Sequence, residues 1–345
     1  MTTVPGFTAL KLPGGFTLRL HRRSTVTVAA LLTTASIIVA VTVATGAYEI
    51  TRSDLLHTLM GGGSDMDQFI VLRQRLPRAV AAVLVGAALG LSGAVFQSIS
   101  RNPLGSPDVV GFATGSASGG LIVILLAGTS SFASIATGTV TGGFATALFV
   151  YALSAGHGKG GERLILTGIA VGAMLSSVND YLITRATLED AETAKAWQFG
   201  SLNTITWPHV TPVLVVLAVL VPLTLALAGP MRVLEMGDDA ASGLGVEVAR
   251  VRILLLAAGV ALAGVAVATS GPIGFLAMAA PQLARKVAHS PGIALLPSMA
   301  MGAVLLSAGD LLAQRLLSPF QIPVGLVTAA LGGLYLLWVL TWRKG

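Results

Sequence analysis

The sequence predicts an all-α polytopic membrane protein of about ten transmembrane helices, with an inverted-repeat-like core and both termini cytoplasmic. Three observations predict it. Hydrophobic residues make up 54% of the 345-residue chain and charged residues 10%, whereas a soluble domain carries about a quarter charged residues. Apolar runs of roughly 20 residues, the length that crosses a bilayer, recur along the whole chain. The basic residues are also unevenly divided between the two sides that those runs define. Mean hydropathy is +0.83.

Taken in order, residues 1–24 read as a polar cytoplasmic tail, with Pro5, Pro13 and the basic cluster Arg19, His21, Arg22, Arg23. Residues 25–345 read as one transmembrane domain. Its first run, Thr25–Tyr48, exceeds the apolar stretch of a signal peptide and reads as a span. Further runs follow at Pro77–Ile99, Val109–Ala127, Phe132–Leu153, Leu164–Arg185, Val210–Leu227, Val251–Thr269, Ile273–Val287, Gly292–Leu312 and Val324–Trp342. The run at Ile273–Val287 is short for a crossing of about 30 Å. Thr187–Trp207 is amphipathic and belongs at the outer surface. With the N-terminus inside, 14 of the 21 basic residues fall on the inner side and 7 on the outer, which is the bias that sets orientation.

Residues 85–95 (VGAALGLSGAV) echo residues 258–268 (AGVALAGVAVA), and a Pro-containing turn follows each. In alternating topology the two copies run in opposite directions, as in many transporters. Similar Ala/Gly/Val composition is the competing explanation. Glycine, at 41 residues, suits close helix crossings in lipid. No cysteine is present, which excludes disulfides and thiolate metal sites. The five histidines are scattered and no cofactor is implied. The net charge of +6 reads as an orientation signal, with no nucleic-acid partner implied.

Four segments carry candidate chemistry. Arg75 and Arg78 sit at the outer mouth of the second helix, against the positive-inside tendency. They read either as interfacial anchors or as a carboxylate-docking pair suited to bidentate contacts. Arg101-Asn-Pro-Leu-Gly-Ser-Pro-Asp108 is an inner turn in which two prolines force irregular backbone. Such backbone belongs where protein or a water-filled cavity satisfies it. The inner loop at about residues 230–250 contains Gly237, Asp238 and Asp239, which favour a helix start, with Gly243 and Gly245 to end it. Ala241 and Leu244 are expected to share a face of that helix. Trp197 and Trp207 bracket an outer loop and read equally as interfacial anchors. Asn179, Asp180 and Asp310 are polar groups in apolar runs, and Arg315 lies near the last of them; their roles stay open. Gly156-His-Gly-Lys-Gly-Gly161 lacks the spacing and the Ser/Thr of a phosphate-binding loop. No catalytic constellation is present, so the chain reads as neither an ATPase nor another enzyme.

These segments together resemble the FecCD-type permease family, the membrane subunits of ATP-binding-cassette importers for iron–siderophore chelates, haem and cobalamin. The likeness runs, with gaps, from about Leu76 to Trp342, and is carried by Arg-Leu-Pro-Arg at 75–78, Asn-Pro-Leu-x-x-Pro at 102–107 and the Gly-Asp-Asp-x-Ala-x-x-Leu-Gly stretch at 237–245. It implies a multi-pass protein of the bacterial inner membrane that takes up a ferric siderophore, with cobalamin or haem as alternatives. It implies partners as well: ATPase subunits, an extracytoplasmic binding protein, a second permease subunit (identical or homologous) and membrane lipid. It further implies that Arg75 and Arg78 dock the binding protein and that Asn102 and Leu104 narrow a cytoplasmic gate. Gly237, Asp238, Asp239, Ala241, Leu244 and Gly245 would then couple to the ATPase. Three positions depart from the family pattern. Met236 stands where a Leu precedes the Gly that opens the 237–245 stretch. Gln314 stands where an arginine commonly follows the acid of the ninth helix, and Gln321 stands where a Glu precedes Ile-Pro-x-Gly. The competing class, an ion-coupled secondary transporter, needs ionisable groups deep in the helices, and few are present.

Overall fold

The computed structural model describes residues 7–11, 17–154, 161–290, 292–318 and 320–342. Gly156–Lys159, together with Arg343 and Lys344, lies outside the described residues. The segment read as a tail contains two short antiparallel strands, β1 (Phe7–Lys11) and β2 (Thr17–His21). All other elements are helical.

Helix α1 (Arg22–Ala44) is followed by α2 (Arg52–Leu59) and by α3 (Asp65–Gln68), which Ser64 and Asp67 start with a reciprocal capping box. A π-helical turn (Phe69–Arg75) then leads into α4 (Leu76–Ser100) without a break. The chain continues through α5 (Phe112–Leu126), α6 (Phe132–Ser154), α7 (Gly161–Arg185) and the surface helix α8 (Leu188–Gln198). After α9 (Trp207–Ala226) come two short inner helices, α10 (Ala228–Leu234) and α11 (Asp238–Gly243). The last four are α12 (Val248–Ser270), α13 (Leu276–Ala288), α14 (Leu295–Arg315) and α15 (Val324–Trp342).

Among the described residues, seven helices are long and apolar enough to cross a membrane, and two shorter apolar helices lie at Phe112–Leu126 and Val324–Leu337. With the 13-residue α13, they correspond to the runs expected from sequence. Boundaries moved where backbone chemistry intervened. Helix α5 starts at Phe112 because Pro107 and the left-handed Gly111 (φ 76°) hold the chain out of helix before it. Helix α13 starts at Leu276 because Phe275 before it is left-handed (φ 66°).

The core is set by three helices. The α4 span is 83% buried, that of α12 72% and that of α14 61%, against 22% for α1, α6 and α9. The two echoing stretches lie on α4 and α12, both core helices. Small residues permit a close crossing between α4 and α14. A Cβ added at Gly302 would lie 2.1 Å from the Gly86 carbonyl oxygen, and one at Gly90 would lie 2.3 Å from that of Ser298. Both exclude any side chain and match the small-residue logic of helix packing in lipid.

Candidate functional site

The candidate functional residues gather at the two ends of α4, which at 1.5 Å per residue are about 37 Å apart; the Leu76 end is called outer and the Ser100 end inner, after the orientation expected from sequence.

At the outer end, Arg78 is buried. Its guanidinium meets Asp310 of α14 through Nε at 3.0 Å and Nη2 at 2.8 Å, and Nη1 donates to Gln321 Oε1 at 2.8 Å. Gln314 completes the cluster by donating from Nε2 to Asp310 Oδ2 at 2.8 Å. Four side chains from α4, α14 and the following loop thus satisfy one another, and the pair is only 9% and 2% exposed. Burial without such partners would be prohibitive. Arg75 is half-buried and donates to the carbonyl oxygens of Val43 and Tyr48, closing the end of α1.

Of the two arginines expected to dock a binding protein, Arg78 is buried and Arg75 half-buried. Arg78 is enclosed by its own chain, and Arg75 gives one N–H from each of Nη1 and Nη2 to the backbone after α1. The exposed cations at this end are Arg73 and Arg315, and Arg315 lies within electrostatic reach of Arg75. Asp310 is the buried partner of Arg78. Asp180, exposed, pairs loosely with Lys195 at 3.4 Å. Trp197 packs over Gly120 of α5, and Trp207 donates from Nε1 to the Leu72 carbonyl at 2.9 Å. Both tryptophans therefore fasten the outer loops to the helix ends.

At the inner end, α4 stops at Arg101, a non-glycine residue in the left-handed region (φ 50°). The Asn102 side chain then accepts from the Leu104 backbone N–H at 2.9 Å, and the Asn102 carbonyl accepts from Gly105 N–H. Such a local turn is what Asn before Pro favours. Leu104 is left 50% exposed. The turn is held from α13, where Gln282 donates from Nε2 to the Pro103 carbonyl at 2.8 Å and accepts from Tyr335 O–H of α15.

The coupling segment lies on the same side. Gly237 (φ 111°) and Gly245 (φ 82°) flank α11 in conformations that side chains resist. Asp238 fastens the start of α11 to α12 through Arg252, at 2.8 Å. Ala241 is fully buried while Leu244 is 66% exposed at the end of α11. The two therefore do not share a face as expected, because Leu244 lies past the last helical turn. Leu244, Met236 and Asp239 form the outward side of this segment. The expected second helix through Arg250 is the start of α12.

Sequence reasoning missed Glu235. It is half-buried between α10 and α11. Burial pushes its carboxyl above the usual range, opposed by the Ser98 hydroxyl, the Ile293 backbone N–H and the cations Arg285 and Arg232. The signal was a lone acid ending the apolar stretch Val233-Leu234.

Comparison with known proteins decides what carries this geometry. The FecCD transport family model matches residues 28–342. The chain belongs to the FecCD transport family. It is 44% identical over 292 residues to the ferric enterobactin transport system permease protein FepG of Escherichia coli strain K12, covering 85% of this chain and 88% of that one. The hemin transport system permease protein HmuU of Yersinia pestis is 36% identical over 280 residues, covering 79% and 83%. Among solved structures, a metal-chelate type ABC transporter in an inward-facing conformation superposes with a TM-score of 0.81 at 29% identity, covering 92% of this chain and 98% of that one. As a FecCD member the chain is a membrane permease component, and ATP hydrolysis lies in a separate subunit. Permeases of this kind work with ATPase and substrate-binding partners.

Proposed function

We propose that the chain is a permease subunit of a bacterial inner-membrane importer that takes up a ferric siderophore. The observation that carries the substrate class is the 44% identity to a ferric enterobactin permease across 85% of the chain. A binding protein delivers the chelate outside, two permease subunits (identical or homologous) enclose its path, and ATPase subunits drive the inner side. Coupling runs through Gly237, Asp238, Asp239, Ala241, Leu244 and Gly245. The exposed Leu244 supports this reading, since it offers an apolar contact outside the membrane spans. Asn102 and Leu104 narrow the inner end of the path, an assignment supported by a stiff turn that leaves Leu104 projecting. For docking we infer a face made of Arg73, Arg75 and Arg315, with Arg78 holding the helices beneath it. A cluster of like charges on one outer face suits an acidic partner.

The test is reconstitution with the cognate ATPase and binding protein in proteoliposomes, followed by uptake of a radiolabelled ferric catecholate. The proposal expects uptake that needs ATP and the binding protein and that falls as salt screens the docking face. Haemin or cobalamin taken up in its place would move the substrate class. Uptake without ATP, abolished by a proton ionophore, would overturn the importer reading.

A further inference from the structure

Glu235 sits where three parts of the inner face meet. It follows α10 directly and precedes Gly237, the start of the coupling segment. Its Oε1 lies 3.4 Å from the Ser98 hydroxyl, in the last turn of α4. The Ile293 backbone amide, in the α13–α14 connection, also favours the charged form of this carboxylate. A Cβ added at neighbouring Gly292 would lie 3.6 Å from its Oε2. Arg285 of α13 and Arg232 of α10 are within electrostatic reach. Two residues further on, Gly237 lies beside the Arg101 guanidinium, 3.4 Å from a Cβ built there.

Each of these contacts leads to the same turn. Ser98 and Arg101 belong to the end of α4, and Asn102 follows at once. Arg285 lies one helical turn from Gln282, which holds the Pro103 carbonyl. The coupling segment therefore reaches the 101–107 turn by two routes, along α4 and along α13, and both begin at one carboxylate. An ionised group suits such a junction because one carboxylate can accept several donors at once.

We propose that Glu235 is the positioning residue that makes the coupling segment, the end of α4 and the α13–α14 connection move as one block. This rests on the importer reading and names the device by which motion at α11 reaches the inner turn. Spatial proximity alone does not establish coupling, so the test must read coupling itself.

The experiment uses the complete transporter in proteoliposomes and measures chelate uptake per ATP hydrolysed. Glu235→Ala should keep ATP hydrolysis within about two-fold of wild type while uptake per ATP falls at least five-fold. Glu235→Gln retains an acceptor oxygen for Ser98 and Ile293 but loses the attraction to Arg285 and Arg232, so it should fall between. Adding Ser98→Ala to Glu235→Ala should produce less additional loss than Ser98→Ala produces alone, since both act through one contact. An unchanged ratio in Glu235→Ala overturns the inference. Should Glu235→Ala fail to assemble, Glu235→Gln and Arg285→Ala decide, and an unchanged ratio in both assembled variants overturns it equally. A wild-type complex that transports without ATP would instead sink the importer reading and leave a different signature.

Discussion

The two ends of α4 are built on opposite plans. At the outer end, the buried Arg78–Asp310 pair bonds internally, to Gln314 and to the exposed Gln321 at 2.8–3.2 Å. At the inner end, the Glu235–Ser98 approach is 3.4 Å, beyond the ordinary O–H···O range. The carboxylate there is half-buried and the helix closes on a left-handed arginine. A short, dry charge cluster has one arrangement and is costly to disturb. Among the described residues no such charge clamp ties the Ser100 end of α4 to α14, which leaves that end able to move as one block with Glu235 and the segment expected to couple to the ATPase.

The largest expected effect breaks the clamp. Asp310→Ala leaves the Arg78 guanidinium buried without its counter-charge, a change that typically costs 3–5 kcal/mol, about that here. Thermal unfolding of the purified protein should show it directly, and Arg78→Met with Asp310→Leu should recover much of the loss. The same reasoning makes Arg78→Glu a poor probe of docking, because it sets two acids face to face. Charge reversal at exposed Arg315 should weaken binding-protein affinity without moving the melting temperature.

Next is the crossing that the clamp secures. Gly302→Val drives a side chain into the Gly86 carbonyl, and overpacking of this kind costs about 1–3 kcal/mol or prevents the helices from seating. Detergent-resistant folding measured by size-exclusion should fall with it, while Gly333→Val, with no neighbour within 4 Å, should behave as wild type.

Smaller still is the inner turn. Asn102→Ala removes the acceptor for Leu104 N–H, worth about 0.5–1.5 kcal/mol, and should loosen the turn enough to raise its protease sensitivity. Leu244→Asp should have the smallest effect on stability, within about 0.5 kcal/mol for an exposed site. Its effect should appear instead as lost co-purification of the ATPase. A folded variant that still binds the ATPase normally would remove Leu244 from the coupling surface.

Sequence made the helices legible because lipid leaves the backbone few options. Runs such as Pro77–Ile99 and Val324–Trp342 reappear as α4 and α15 within a few residues. It also made α11 legible, since two acids at one end and glycines at both are local signals. Partnership across the chain was not legible. Arg78 and Asp310 are 232 residues apart, and nothing near Arg78 tells whether its partner is another protein or its own α14. Leu244 was misjudged for a local reason, because a helix of six residues ends before the expected face is complete. Glu235 was passed over because its significance comes from what packs against it, Ser98 and Ile293, both distant in sequence.

The comparison between the ends is tested most directly by distance. The chain has no native cysteine, so spin labels can be placed without background. One pair, at Gln74 and Leu317, spans α4 and α14 at the outer end. A second, at Leu104 and Leu153, spans the inner turn and the end of α6. Each pair is measured in the complete transporter, nucleotide-free and then trapped with ATP and vanadate. The account predicts that the Leu104–Leu153 distance shifts on trapping while the Gln74–Leu317 distance holds, and that Glu235→Ala abolishes the shift. An outer distance that changes as much as the inner one, or an inner distance indifferent to nucleotide, would contradict it.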